Sequence, residues 1–221
     1  EFGPDRTIVR AFEEQRDSRI LLSGVTGRHK GLRNGARQIT EVNLPGDPID
    51  FHSFTLKCLD HDVITLSDCV IGVVPHDRLQ QITERFPRIA RLYWFLTNVD
   101  AAITRELALS LGQRSAIARM AHLFCELHLR LDVVAGARAD GFEFPLTQRE
   151  LSECLGLTVV HANRTIQELR RRGLVELENR QLTILDRRGL EGVAQGDVVL
   201  GQTFASVCSP EVALPAQSAG W

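Results

Sequence analysis

Apolar residues recur along this chain with two different periods, and the change of period divides it. Up to about Val74 the apolar runs are short: Thr7-Ile8-Val9, Ile20-Leu21-Leu22, Val63-Ile64-Thr65-Leu66 and Val70-Ile71-Gly72-Val73-Val74. Turn residues separate them. Asn34-Gly35 reads as a type I′ hairpin turn, which needs positive φ at both central positions; Pro45-Gly46-Asp47 marks another turn, and Ser67-Asp68 joins the last two runs. Many short strands at such spacing predict a roll or barrel. Beyond Pro75 the period becomes helical. A short helix runs from His76 towards Phe86, and Pro87 fits the first turn of a long one. In that helix Ile89, Leu92, Leu96, Val99 and Ile103 recur every three or four residues, close to a heptad, and Leu107 and Leu111 carry the stripe on, slightly rotated. Gly112 breaks it. Another helix spans about 115–133 with Ile117, Ala121, Leu123, Phe124, Leu127 and Leu131 apolar, and a loop follows over 136–141.

The pattern then sharpens. Thr147 suits a helix N-cap with Glu150 three residues on, where a capping-box carboxylate belongs. Leu151, Cys154 and Leu155 recur at helical spacing, and Gly156 supplies the left-handed residue that closes the helix. Thr158 caps a second helix whose buried face is Val160, Ile166 and Leu169, and Gly173 ends it. Leu174-Val175-Glu176-Leu177 and Gln181-Leu182-Thr183-Ile184-Leu185 alternate like two strands around Glu178-Asn179-Arg180. Helix, turn, helix and hairpin in this order predict a winged helix-turn-helix, a shape that fits one helix into the DNA major groove. The exposed candidates on that helix are Val159, His161, Asn163 and Arg164. Arginine donates a bidentate pair to guanine, asparagine bridges adenine, and valine touches a thymine methyl. Arg170, Arg171 and Arg172 complement the helix dipole and are placed to meet phosphate. The bland reading of that run is a solvated face.

"GARQITEVNLPGDPIDFHSF", "DHDVITLSDCVIGVVPHDRL" and "LTVVHANRTIQELRRRGLV" resemble, in order, the sensor and DNA-binding segments of the CRP/FNR family of bacterial transcription regulators. The resemblance covers nearly everything from Asp5 to about Arg188. It implies an α+β chain: an N-terminal β-roll (jelly-roll-like) sensor domain over 1–86, a dimerisation helix over 87–111 and a winged helix-turn-helix over 112–190; beyond it, small residues, two prolines and little charge read as a tail over 191–221, part of it without order, with Val198-Val199-Leu200 placed to dock on a neighbour. It also implies DNA contacts from Thr147, Gln148, Thr158, Val159, Val160, His161, Asn163, Arg164 and Arg171. Related regulators put an arginine where Arg164 stands, and several carry a glutamate where Val160 stands. The dimer seam would be Leu92, Leu96, Val99 and Ile103. The implied partners are double-stranded DNA, a second copy of the chain and RNA polymerase, with no membrane and no enzymatic step, in the cytoplasm. The chain opens Glu1-Phe2-Gly3-Pro4 and its only methionine is Met120, which reads as a fragment or processed form with the roll's first strand or two lying before Glu1.

Composition adds limits. The net charge is −2 at pH 7, so no global field draws the chain to nucleic acid. From His161 to Arg188, however, seven arginines (164, 170, 171, 172, 180, 187, 188) stand against four acids (168, 176, 178, 186). There is no apolar run long enough to span a bilayer and no signal peptide. The five cysteines, 58, 69, 125, 154 and 208, are odd in number and form no C-x-x-C pair, as expected of reduced thiols. Cys69, Cys125 and Cys154 read as core; Cys208 lies in the tail. The compact N-terminal cysteine cluster of iron–sulfur family members is absent from this sequence.

The effector stays unknown. Cyclic-nucleotide members of the family place a glutamate on the ribose and an arginine on the cyclic phosphate, because a desolvated phosphate needs a fork of donors. Here the glutamate's place falls near Asp50 or Phe51 and the arginine's near His61 or Asp62, with no arginine from Val42 to Val74. Cyclic AMP binding of the usual kind is therefore not expected. His29, His52, His61 and His76 raise a rival, a cupin-like metal enzyme on the roll, but the His-x-His pair which that chemistry uses is missing; no metal site is expected, and haem sensing through His29 or His52 has nothing that selects it. The other rival is a winged helix that binds protein rather than DNA.

Overall fold

A computed structural model describes residues 1–135 and 141–194. The expectations for Val198-Val199-Leu200 and Cys208 lie outside the described residues. In chain order the elements are strands β1 (Thr7–Val9), β2 (Asp17–Ser23), β3 (Thr26–Gly31) and β4 (Arg37–Asn43), helix α1 (Ser53–Leu56), strands β5 (Asp62–Thr65) and β6 (Val70–Pro75), helices α2 (His76–Arg85), α3 (Pro87–Gln113) and α4 (Ala116–Ala135), strand β7 (Gly141–Glu143), helices α5 (Gln148–Leu155) and α6 (Val159–Arg171), strands β8 (Val175–Glu178) and β9 (Gln181–Ile184), and helix α7 (Arg187–Ala194).

The N-terminal part is a β-roll. A four-stranded antiparallel sheet, order β1-β5-β3-β4, faces the pair β2-β6. Val9, Leu21, Ile49, Leu59, Val63 and Cys69 fill the space between them. The other side of the larger sheet is also covered. Ile39, Val42, Leu44, Ile64 and Leu66 share one continuous core with Phe124, Leu127, Leu151, Leu155 and Leu169 of the helical part.

Several sequence expectations need correction. The Asn34-Gly35 turn is a five-residue loop: Leu32 N donates to Ala36 O, Asn34 Oδ1 accepts from Ala36 N, and only Gly35 takes positive φ. The asparagine's own side chain holds the turn. The first 74 residues are not all strand, since the one-turn α1 lies among them; it is too short to show a period. Gly112 does not break α3, which runs one residue further. Nor does the helical domain stop at 190. Helix α7 continues to Ala194, burying Leu190 and Ala194, and Arg114 Nε donates to the Ala194 carbonyl at 3.1 Å.

The long helix α3 divides the expected dimer seam. Val99 is only 7 % exposed, and Leu96, Val99 and Ile103 line a cavity against Arg28, Glu41 and His52 of the same protomer's roll. Leu92 stays exposed. The far side of α3 instead carries Trp94, 70 % exposed, and Leu109, 48 % exposed. A 3.6-residue period reports an apolar stripe but not which neighbour covers it, and here the roll covers most of the stripe read from the sequence.

Candidate nucleic-acid interface

The interface begins with how α5 and α6 are fixed. Thr147 accepts from Glu150 N at 3.3 Å while the Glu150 carboxylate accepts from Thr147 N at 2.6 Å, so the expected capping box is complete. Gly156 closes α5 with φ 62°. A Cβ there would stand 3.2 Å from a Leu111 methyl and 3.4 Å from Gln38 Oε1, so glycine answers both the backbone and the close approach. The carbonyl end of α5 is held from outside: Gln38 Nε2 of β4 donates to Cys154 O at 2.9 Å and Arg119 Nη1 of α4 donates to Leu155 O at 2.7 Å. Donors suit the negative end of a helix dipole. Arg37 Nε of β4 meets Glu153 Oε2 at 2.6 Å, and Arg149 Nε meets the other Glu153 oxygen at 3.1 Å. Burial pushes the Cys154 thiol up, and the Cys125 thiol up to about 12; both are core groups.

Thr158 caps α6, accepting from His161 N at 3.2 Å. The buried face of α6 is Ala162, Thr165, Ile166 and Leu169. Val160 does not belong to it: this side chain is 62 % exposed. Two residues on, the small Ala162 faces the core instead, and the apolar pattern alone passed over it. Val159, His161 and Arg164 are exposed and Asn163 is half-buried. Val160, Asn163 and Arg164 line one shallow concavity with Gln167, Glu168 and Arg171. Gln148, at the first turn of α5, reaches Asn163: Asn163 Nδ2 donates to Gln148 Oε1 at 3.0 Å.

The three-arginine run is not free positive charge. Glu168 accepts from Arg171 at 2.7 Å and from Arg172 at 2.8 Å, and Arg170 meets Glu178 of β8 at 3.1 Å. Hydrogen bonds from Arg171 and then Arg172 hold the Glu168 carboxyl below its ordinary pKa. The i−3 and i−4 spacing of Glu168 was the signal for this clamp. Among the described residues no carboxylate pairs with Arg164.

The wing is a three-stranded sheet, order β7-β9-β8. Strand β7 starts at Gly141, the last residue of the expected loop, and was not expected as a strand; three residues are too few to show alternation. Asn179 and Arg180 both take positive φ, 49° and 62°, so the type I′ turn that Asn34-Gly35 does not form is formed here without glycine. The Arg180 guanidinium donates to Pro145 O at 3.3 Å.

Residues 118–193 match the family model described as the Crp-like helix-turn-helix domain. The chain is 29 % identical over 175 residues to the nitrogen fixation regulation protein FixK of Bradyrhizobium diazoefficiens, covering 79 % of this chain and 72 % of that protein. It is 25 % identical over 162 residues to the transcriptional activator protein FnrA of Stutzerimonas stutzeri, covering 73 % of this chain and 66 %, about two thirds, of that protein. The chain is thus similar to regulators of the CRP/FNR type, and residues 118–193 carry the Crp-like helix-turn-helix domain. The fold agrees: the structure of FixK2 from Bradyrhizobium japonicum superimposes with a TM-score of 0.81 at 23 % identity, over 89 % of this chain and 96 % of that one. These CRP/FNR relatives are named as regulators and activators, which sets the enzyme rival aside.

The roll, with α3 laid across it, holds several buried charges. Asp50 is fully buried, accepting from Arg19 N at 2.6 Å and Arg19 Nη1 at 2.5 Å. Burial pushes the Asp50 carboxyl up, against the pull of Arg19. Arg28 faces the junction of roll and α3, bonded to Glu41 at 2.8 Å and Asp100 at 2.5 Å. Burial holds the Glu41 carboxyl well above its usual range. The absence of arginine between Val42 and Val74 was thus a statement about one segment; Arg19 and Arg28 enter from β2 and β3, each already matched by carboxylates. His52 meets Asp100 at 3.2 Å and His61 meets Asp60 at 3.1 Å. No helix among the described residues is long and apolar enough to cross a membrane.

Proposed function

We propose that this chain is a sequence-specific DNA-binding transcription regulator that acts as a homodimer on a pseudo-palindromic operator. The observation that carries the reading is the exposed face of α6, where Val160, Asn163 and Arg164 share one concavity and Arg164 has no carboxylate partner among the described residues. Arg164 reads guanine in each half-site; Val160 cannot accept a hydrogen bond, so the base pair that a glutamate reads in some relatives is read differently or not at all. Thr147 and Thr158 serve mainly as caps, and Val159, His161 and Arg171 flank the groove. Dimerisation uses the outer side of α3 around Trp94 and Leu109, and the two α6 helices enter successive major grooves about 34 Å apart. RNA polymerase is the further partner, and the site of action is the cytoplasm.

The roll does not bind cyclic AMP in the family's usual way, because Arg19 is already matched by Asp50, and Arg28 by Glu41 and Asp100. Titration calorimetry with cyclic AMP and cyclic GMP tests this part; micromolar binding would sink it. DNA-binding selection on the purified protein tests the central claim. The expected product is an inverted repeat whose binding weakens steeply with salt. Failure to enrich any sequence favours the protein-interaction rival.

A further inference from the structure

We infer that Gln148 and Asn163 form one composite reader of a single adenine in each half-site, an inference that rests on the DNA-binding reading above. The two residues come from different helices and are joined by the Asn163 Nδ2 to Gln148 Oε1 hydrogen bond of 3.0 Å. Each side-chain amide carries one acceptor oxygen and two N–H donors. The bond between them uses the carbonyl of one and an N–H of the other. What remains to face the groove is the Asn163 carbonyl beside the Gln148 N–H₂. With both amides turned over, the pair would still offer one acceptor beside one donor. An acceptor next to a donor complements the N6 amino group and N7 of adenine in the major groove, whereas guanine presents two acceptors there.

The position fits. Asn163 lies on the same concave strip as Val160 and Arg164, and Gln148 stands at the first turn of α5, whose capping box fixes the backbone that carries it. Alone, either amide is a flexible side chain; tied together, each orients the other before DNA arrives, so less freedom is lost on binding. The reader also takes up specificity beside Val160, which offers no polar atom.

The experiment uses the operator that selection on the full chain yields. Each adenine is replaced in turn by 7-deazaadenine, which lacks the N7 acceptor. One adenine per half-site should then weaken the wild-type protein by roughly tenfold or more. Gln148→Ala and Asn163→Ala should each bind the parent operator more weakly and no longer respond to that replacement. The double variant should be no weaker than the weaker single one to within about twofold, because residues acting as a unit are not additive. Thermal melting checks that both variants keep the fold. Uniform weakening by Gln148→Ala across all sequences would assign that side chain to phosphate and overturn the inference. So would two variants that blur different base positions, or an operator in which no adenine responds. Those results leave the DNA reading standing, whereas a selection that enriches nothing overturns both.

Discussion

At the scale of single residues, position in the charge pattern matters more than charge itself. Arg164 and Arg171 are both exposed arginines on one helix, but Arg171 already lies on Glu168 while Arg164 has no such partner. Arg164→Ala should lose about 1–3 kcal/mol on the parent operator and blur one guanine position. A base-by-base profile that keeps its shape while weakening everywhere would mean that Arg164 only positions the helix. Arg171 predicts differently. Removing its acid partner with Glu168→Gln should release Arg171 and Arg172 towards phosphate and steepen the dependence of log K on log salt by about one unit, read from binding isotherms at several salt concentrations. An unchanged slope would leave both arginines outside the footprint. Legibility in the sequence followed the same line. Thr147, Glu150, Gly156 and Thr158 were readable because capping is local chemistry over three residues. The Gln148–Asn163 bond was not, because fifteen residues separate partners that meet only once α5 and α6 are packed.

At the scale of elements, the wing turn carries strain that the helices do not. Arg180 sits at φ 62°, a region costing an L-residue about 1–2 kcal/mol. Arg180→Gly should therefore raise the stability of the DNA-binding part by about 0.5–1 kcal/mol, offset in part by the lost bond to Pro145. Denaturant unfolding measures this, and a lower midpoint would show that the guanidinium contact matters more than the backbone. The strands of the roll were legible because short apolar runs stand between turn residues. Strand β7 (Gly141-Phe142-Glu143) and helix α1 were not, having too few residues to carry a period and no apolar run bounded by turns. For α3 the sequence predicts the helix but not which neighbour covers each face, since Val99 and Ile103 are as apolar against the roll as they would be against a second copy.

At the scale of the whole molecule, this division of α3 separates assembly from folding. Trp94→Glu should give a folded monomer, seen as half the mass in light scattering with little change in melting temperature. Val99→Glu should instead melt early, because it buries a charge inside its own protomer, at a cost of several kcal/mol. A Trp94→Glu protein that stays dimeric would place the interface elsewhere. Acid sensitivity is the second global property. Burial lowers the pKa of His29, His61, His76 and His122, so the folded state binds fewer protons than the unfolded chain. Their contribution is present at neutral pH and is lost as pH falls below about 6.5. Glu41 and Asp50, raised by burial, act with the opposite sign at lower pH. His122→Gln should accordingly flatten the fall in unfolding free energy over that window, by up to about 1.4 kcal/mol per pH unit. A parallel curve would mean that His122 titrates normally.

The contact of β4 with α5 has a reciprocal consequence. Gln38 and Arg37 hold Cys154 O and Glu153, so a strand of the roll is a ligand of α5, the first helix of the helix-turn-helix. Linkage is symmetric: whatever factor a change in the roll imposes on operator affinity, the operator imposes on that change in the roll. If the two parts separate even slightly on DNA, the backbone amides of Ile39 and Val42 will exchange faster in the complex than in free protein. On the proposed function the operator is then an effector of the roll, and a ligand of the roll can be sought by asking which small molecules are bound or expelled when DNA is added.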